Sequence, residues 1–256
     1  MTVQNDQLPE LEADLASSLC ETATFGMGCF WGPDARFGAL PGVIRTRTGY
    51  AGGTTGNPTY KEMGDHTETI EVDFDPSLIS YEGILRHFWR NHYPNRDAYR
   101  GRQYISLLHF HDENQEAAVE KVKGEMEAEL GFSIETEIAP FEGFTLAEER
   151  HQKYYLKRYP GALDQLEDMA PEPSILTDSI FAARLNGFVK GFGNRDALLE
   201  EISGWPIRPR GFDALAVAII FSRNASAVIP SGFRASAIPW IRSVSIKPGQ
   251  RALTRT

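Results

Sequence analysis

Apolar positions along the chain recur at two spacings, and the switches between them predict the elements. Thr22 to Gly28 reads as a short buried strand, followed by Cys29 and by a helix whose first turn holds Pro33. Gly42 to Tyr50 is strand-like, and the AGGTTGNPT that follows is too rich in Gly, Thr and Asn for regular structure, which predicts a shaped loop. From His66 to Phe74 the chain alternates: His66, Glu68, Ile70, Val72 and Phe74 share one face, Thr67, Thr69, Glu71 and Asp73 the other. A glutamate therefore sits on an apolar face. Ile84, Leu85, Phe88 and Trp89 fall at helical spacing within Ser80 to His92, and Gln103 to Phe110 returns to strand with Tyr104, Ser106, Leu108 and Phe110 aligned. Asp112 caps a helix ending at Gly131, with Gln115 as its capping-box partner. Ser133 to Ala139 is a further strand, and Thr145 with Glu148 opens another capped helix through Leu156. Thr177 to Val189 and Asn194 to Ser203 read as two short helices. Strands and helices are interspersed rather than strictly alternating, which favours an α+β sandwich with a mixed sheet over a doubly wound parallel one.

Length and charge narrow the classes. At 256 residues and 41% hydrophobic content the chain can bury one full core and carry an appendage. The longest apolar run, Ala214 to Phe221, is far short of the ~18 residues a membrane span needs. The opening MTVQNDQLPELEADL lacks the basic flank and apolar stretch of a secretory signal, so a cytoplasmic location is expected. The net charge of −9 disfavours nucleic acid as a partner. It is unevenly spread: residues 206–256 carry eight Lys or Arg against Asp213, net +7, which leaves −16 for residues 1–205. Residues 1–20, without a periodic apolar face, are expected to form a flexible arm, residues 21–160 the catalytic domain, 161–205 a helical extension and 206–256 a poorly ordered basic tail. Two cysteines exclude a disulfide framework, and the six histidines show no H-x-x-x-H spacing, so no metal site is expected.

Cys29 lies in GMGCFWG, between a strand and the start of a helix, where unpaired N–H groups and the helix dipole favour a thiolate nucleophile. Position alone allows a small buried hydrophobe equally well; the flanking glycines with Phe30 and Trp31 tilt the balance.

GCFWG at 28–32, GYAGG at 49–53, NPTY at 57–60, HTE at 66–68 and RQYIS at 102–106, in this order, resemble the motif series of A-type peptide methionine sulfoxide reductases. The resemblance spans roughly residues 22–160 and includes EIAPFEGFTLAEERHQKYYL. It implies that Cys29 attacks the sulfur of a methionine S-sulfoxide, that Phe30 and Trp31 line a pocket for the substrate methyl group, and that Tyr60 and Tyr104 donate hydrogen bonds to the sulfoxide oxygen. Oxygen leaves sulfur only if protonated, so a general acid is needed near Cys29. Glu68 is the candidate, with a reason independent of the resemblance: a carboxyl on an apolar face is desolvated, which keeps it protonated towards neutral pH. His66, in the same motif, is grouped with the substrate-binding residues; a Cys29 and His66 hydrolase pair is the lesser alternative. The fold expected is a two-layer, mixed-sheet sandwich of ferredoxin-like type with flanking helices and a small helical C-terminal extension.

Three departures stand out. The segment between NPTY and HTE is only KEMGD. Tyr99 occupies the position, five residues before Tyr104, where the family carries an aspartate, and Asp97 is the candidate substitute in substrate binding. No cysteine follows Cys29 to resolve it, as in an atypical branch of the family. Cys20 lies nine residues earlier, ~30 Å along an extended strand, whereas a disulfide needs Cα atoms within ~7 Å. The sulfenic acid on Cys29 is therefore expected to be reduced by an external thiol, a thioredoxin-like protein or a low-molecular-weight compound, with no bound cofactor. The expected partners are that reductant and oxidised proteins or peptides, the chain acting as a monomer with neither nucleic acid nor membrane. A non-catalytic sulfoxide-binding or redox-sensing protein is the alternative.

Overall fold

β1 (Glu21–Met27) runs through the middle of a six-stranded sheet, antiparallel to β3 (Thr67–Phe74) on one side and to β4 (Ser106–Phe110) on the other. The computed structural model describes residues 20–95, 101–159, 163 and 174–203. With β2 (Val43–Ala51), β5 (Glu137–Pro140) and β6 (Phe144–Leu146) the strand order is β5-β4-β1-β3-β2-β6. Only the β4–β5 pair is parallel, so the sheet is mixed and the α+β class holds. The helices are α1 (Trp31–Gly38), α2 (Tyr81–Arg90), α3 (Glu113–Leu130), α4 (Ile175–Asp178), α5 (Ile180–Lys190) and α6 (Arg195–Ser203). Among the described residues no helix is long and apolar enough to cross a membrane. The expected arm at residues 1–20, apart from Cys20, and the expected tail at 206–256 lie outside the described residues.

Alternation along β1 sends Phe25 into the core, where its ring lies 5.5 Å from Phe37 of α1 and 4.6 Å from Phe88 of α2. Ile70, Val72 and Phe74 of β3 and Leu108 of β4 join the same core. The reverse face of β2 and β3 is polar: Thr22 donates to Asp73, and Arg45 and Arg47 pair with Asp73 and Glu71. Phe25→Ala empties the contact between sheet and both helices and should cost ~3–5 kcal/mol of unfolding free energy, measured by urea denaturation.

Several expectations are corrected. The segment before β4 is a 3-10 turn, Gly101–Tyr104, not strand: Gly101 has φ +67°, and Arg102 is held by loop carbonyls, which turns Tyr104 off the sheet. Of the expected strand at Ser133 to Ala139 only the last three residues, from Glu137, join the sheet, in β5. Thr145 does not open a helix; it pairs with Tyr50 in β6, and two 3-10 turns, Glu149–His151 and Leu156–Arg158, follow. Helix cannot run through Lys153, whose φ is +47°. Asp112 does cap α3, accepting from the Gln115 N–H, but the Gln115 side chain accepts from His111 N–H and donates to the Thr22 carbonyl instead of completing a reciprocal box. Ser179 divides the first C-terminal helix: its backbone is extended and its hydroxyl caps α5 by accepting from Phe181 and Ala182 N–H.

Candidate active site

Gly28, at φ +87°, turns the chain out of β1, leaving Cys29 exposed two residues before α1 begins. Glu68 lies on the core side of β3, opposite Tyr50 of β2, and is 1% exposed. Its carboxyl accepts from the Phe30 N–H at 3.1 Å and from Gln103 Nε2 at 2.8 Å, with Cys29 and Tyr104 near enough to act on its charge. Burial pushes the Glu68 carboxyl above its ordinary range, outweighing the opposing influence of Gln103, Phe30, Cys29 and Tyr104. Gln103 also donates to the Tyr104 hydroxyl at 3.0 Å, and the Tyr60 hydroxyl lies near enough to act on that of Tyr104. Burial first, then the charges of Glu68, Tyr60 and Cys29, push Tyr104 up to about 12, so its hydroxyl keeps its proton across the neutral range. The structure thus brings Cys29, Glu68, Tyr60 and Tyr104 together.

Aromatic rings wall this group. Phe30 is buried, its ring 6.0 Å from Tyr50 and 5.3 Å from His151. Trp31 stacks on Tyr154 at 3.7 Å between centroids and donates its indole N–H to His151 Nδ1 at 3.2 Å. The His151 ring is 4.6 Å from Tyr60. Burial, then the neighbouring Arg150, hold His151 below its ordinary range, so the wall presents a neutral imidazole. Glu148 accepts from the Tyr50 hydroxyl at 2.7 Å and from the Tyr60 N–H at 3.1 Å, tying Tyr60 to the wall. Such a surface is suited to a sulfur-bound methyl group.

His66 is turned elsewhere. Its Nδ1 accepts from the Gly53 N–H at 3.3 Å and its Nε2 lies 2.7 Å from the Thr55 carbonyl oxygen. Both ring nitrogens are thus engaged by the GGTTG loop, which accounts for His66 as a structural residue of that loop. A Cβ on Gly53 would lie 2.6 Å from that ring, which explains the glycine. Asp65 gathers the N–H and hydroxyl groups of Thr54 and Thr55, and Arg102 joins the loop carbonyls of Asp65 and Gly52 to Glu137. Asp97 and Tyr99 lie outside the described residues.

Gln103, Glu148, His151 and Tyr154 carry site geometry that sequence reasoning did not assign. The clustering of rings and polar groups in ERHQKYY was a usable signal; Gln103 beside Tyr104 had none of its own. Cys20 sits at the opposite end of β1 from Cys29, beside Asp73, Arg45 and Arg47, and neither cysteine forms a disulfide. Seven strand residues separate them, ~23 Å of extended chain. Among the described residues no cluster of three or more His, Cys, Asp or Glu could hold a metal ion.

An exposed thiol, a buried carboxyl raised above its ordinary range and phenols beside a wall of aromatic rings form the chemistry of a cysteine-dependent enzyme. The family model for peptide methionine sulfoxide reductase matches residues 21–174, and the chain belongs to that family. It is 43% identical over 189 residues to a peptide methionine sulfoxide reductase of Drosophila melanogaster, covering 73% of this chain and 76% of the relative. It is 40% identical over 214 residues to peptide methionine sulfoxide reductase A5 of Oryza sativa subsp. japonica, covering 78% and 83%. Mxr1 of Saccharomyces cerevisiae in its reduced form superimposes with a TM-score of 0.51 at 28% identity, covering 55% of this chain and 86% of that one. The chain is an oxidoreductase that reduces methionine sulfoxide to methionine, reversing oxidative damage.

Proposed function

We propose that Cys29 is the nucleophile, Glu68 the general acid, and Tyr60 and Tyr104 the donors that hold the sulfoxide oxygen, with Phe30 and Trp31 receiving the methyl group. Cys29 sulfur attacks the sulfoxide sulfur while Glu68 passes a proton to the departing oxygen. The oxygen moves to Cys29, so methionine leaves reduced and Cys29 becomes a sulfenic acid. A first external thiol condenses with that sulfenic acid, releasing water and forming a mixed disulfide. A second thiol displaces Cys29 as the thiol and carries away the disulfide. The observation that carries this reading is a Glu68 carboxyl that is buried, raised above its ordinary range and held by the N–H of Phe30, the residue that follows the exposed Cys29 thiol. The placement of Cys20 at the far end of β1 supports an external reductant, and a thioredoxin-like dithiol supplies both thiols in one molecule. The ferredoxin-like reading of the fold is supported by the inner β4-β1-β3-β2 order and by α1 and α2 meeting the same Phe25 face.

A chiral recess with the methyl wall on one side and phenols on another accepts one sulfoxide epimer. With dithiothreitol as reductant, a peptide carrying methionine S-sulfoxide should be turned over and the R-sulfoxide peptide left unchanged, followed as methionine formed. Equal consumption of both epimers, or of neither, would overturn the assignment of the site.

A further inference from the structure

Helix α5 belongs to the C-terminal extension, yet it packs on α1, the helix that carries Trp31. A Cβ on Gly187 of α5 would lie 2.6 Å from the Ala35 carbonyl oxygen, and one on Gly38 would lie 2.5 Å from the Ala183 carbonyl oxygen. Backbones at that distance leave no slack between the two helices.

Asn186 is fully buried at this contact. Its Nδ2 donates to Asp34 Oδ2 at 2.8 Å, in the first turn of α1. Its Oδ1 accepts from two backbone N–H groups, Tyr155 and Leu156, each at 3.1 Å. On the other side of Tyr154, Lys153 is also fully buried; its ammonium donates to Asp34 Oδ1 at 2.9 Å and to the Thr46 carbonyl at 2.6 Å. Those bonds hold Lys153 in its left-handed conformation, rare for a residue with a side chain. Tyr154 is thus pinned from both flanks, and the same amide reaches the helix bearing its stacking partner, Trp31.

We propose that Asn186 is a positioning residue for the substrate wall: by bridging α1 and the 155–156 backbone it fixes Tyr154 against Trp31 at the spacing that receives the substrate. The inference rests on the reading of Trp31 and its neighbours as that wall. It makes the helical extension part of the binding site, although none of its residues touches the substrate. Binding should therefore suffer more than chemistry, because Cys29 and Glu68 are held by β1, β3 and Gln103.

The test uses the full chain and the first turnover on a methionine S-sulfoxide peptide, read as methionine formed before any recycling, at increasing peptide concentration. Asn186→Ala should raise the half-saturating concentration about tenfold and leave the limiting rate within about threefold. Asn186→Asp has the same shape, keeps the acceptor for Tyr155 and Leu156, and places a carboxylate beside Asp34. It should lower the melting temperature at least as far as alanine does while keeping half-saturation closer to wild type. Glu201→Gln loosens the Arg184 ion pair inside the extension, away from Asn186, and should leave half-saturation unchanged. A purely structural role predicts that half-saturation follows melting temperature across all three variants, and that result overturns the proposal. Should the alanine variant not fold, Asn186→Asp decides alone, since a half-saturating concentration raised about tenfold or more despite the retained bonds to Tyr155 and Leu156 refutes positioning. Tyr154→Ala separates the two readings. Unchanged half-saturation there overturns the substrate wall and this proposal with it, whereas a rise there with none in Asn186→Ala overturns only the role of Asn186.

Discussion

Cys29→Ser is expected to abolish methionine formation from a methionine S-sulfoxide peptide, by about a thousandfold or more, including the first equivalent made without added reductant. Two separate losses produce this. A serine hydroxyl stays protonated near neutral pH and is a poor nucleophile toward sulfur. Oxygen transfer to serine would also create a peroxide, so no partial reaction replaces the sulfenic acid. Because Cys29 is exposed, the substitution should change unfolding free energy by less than ~0.5 kcal/mol. Cys20→Ser is the contrast: with dithiothreitol it should turn over at the wild-type rate, since Cys20 lies at the other end of β1. A Cys20→Ser protein that makes one equivalent of methionine and then stops would show instead that Cys20 resolves Cys29. Residual first-equivalent yield in Cys29→Ser would mean another group accepts the oxygen.

Much of this site was legible in the sequence because it rests on local geometry. A strand ending in Gly28 before Cys29, and the alternation that sets Glu68 among Ile70, Val72 and Phe74, follow from period and turn chemistry over a few residues. The parts that were not legible depend on contacts between distant segments. Thr145 and Glu148 look like a helix start, and edge pairing with Tyr50 together with the hydrogen bonds to Tyr50 and Tyr60 overrides that local signal. Tyr104 has the spacing of a strand residue, yet Arg102 bonding to the Gly52 and Asp65 carbonyls pulls the chain into a turn that aims it at Glu68. His66 shares a motif with Glu68, and only the folded loop reveals that Gly53 and Thr55 occupy both its nitrogens. Asn186 carries no periodic or motif signal at all; its importance lies entirely in the 152 positions between it and Asp34.

Glu68→Gln is expected to lower the limiting first-turnover rate by about 100-fold or more while the protein remains folded. The amide fits the same volume, and its oxygen can still accept from the Phe30 N–H if the Gln103 amide turns over to face it. What it cannot do is give up a proton to the departing oxygen. The pH dependence makes the test specific. Burial raises the folded-state value of Glu68, so the proton-donating form is present at low pH and is lost as pH rises through that raised value. The wild-type rate should carry that alkaline limb, and the glutamine variant should lack it. Stability follows the same sign: the neutral carboxyl's advantage is complete below the unfolded value, about 4.3, and fades as pH rises through the folded one. Glu68→Gln should therefore gain stability relative to wild type as the pH is raised, measured as midpoint shifts in thermal unfolding from pH 4 to 9. A variant that keeps a third of the wild-type rate, or the same alkaline limb, would transfer the role of acid away from Glu68. Tyr104, pushed up to about 12 chiefly by burial and by the charge of Glu68, would then be the remaining proton donor near Cys29.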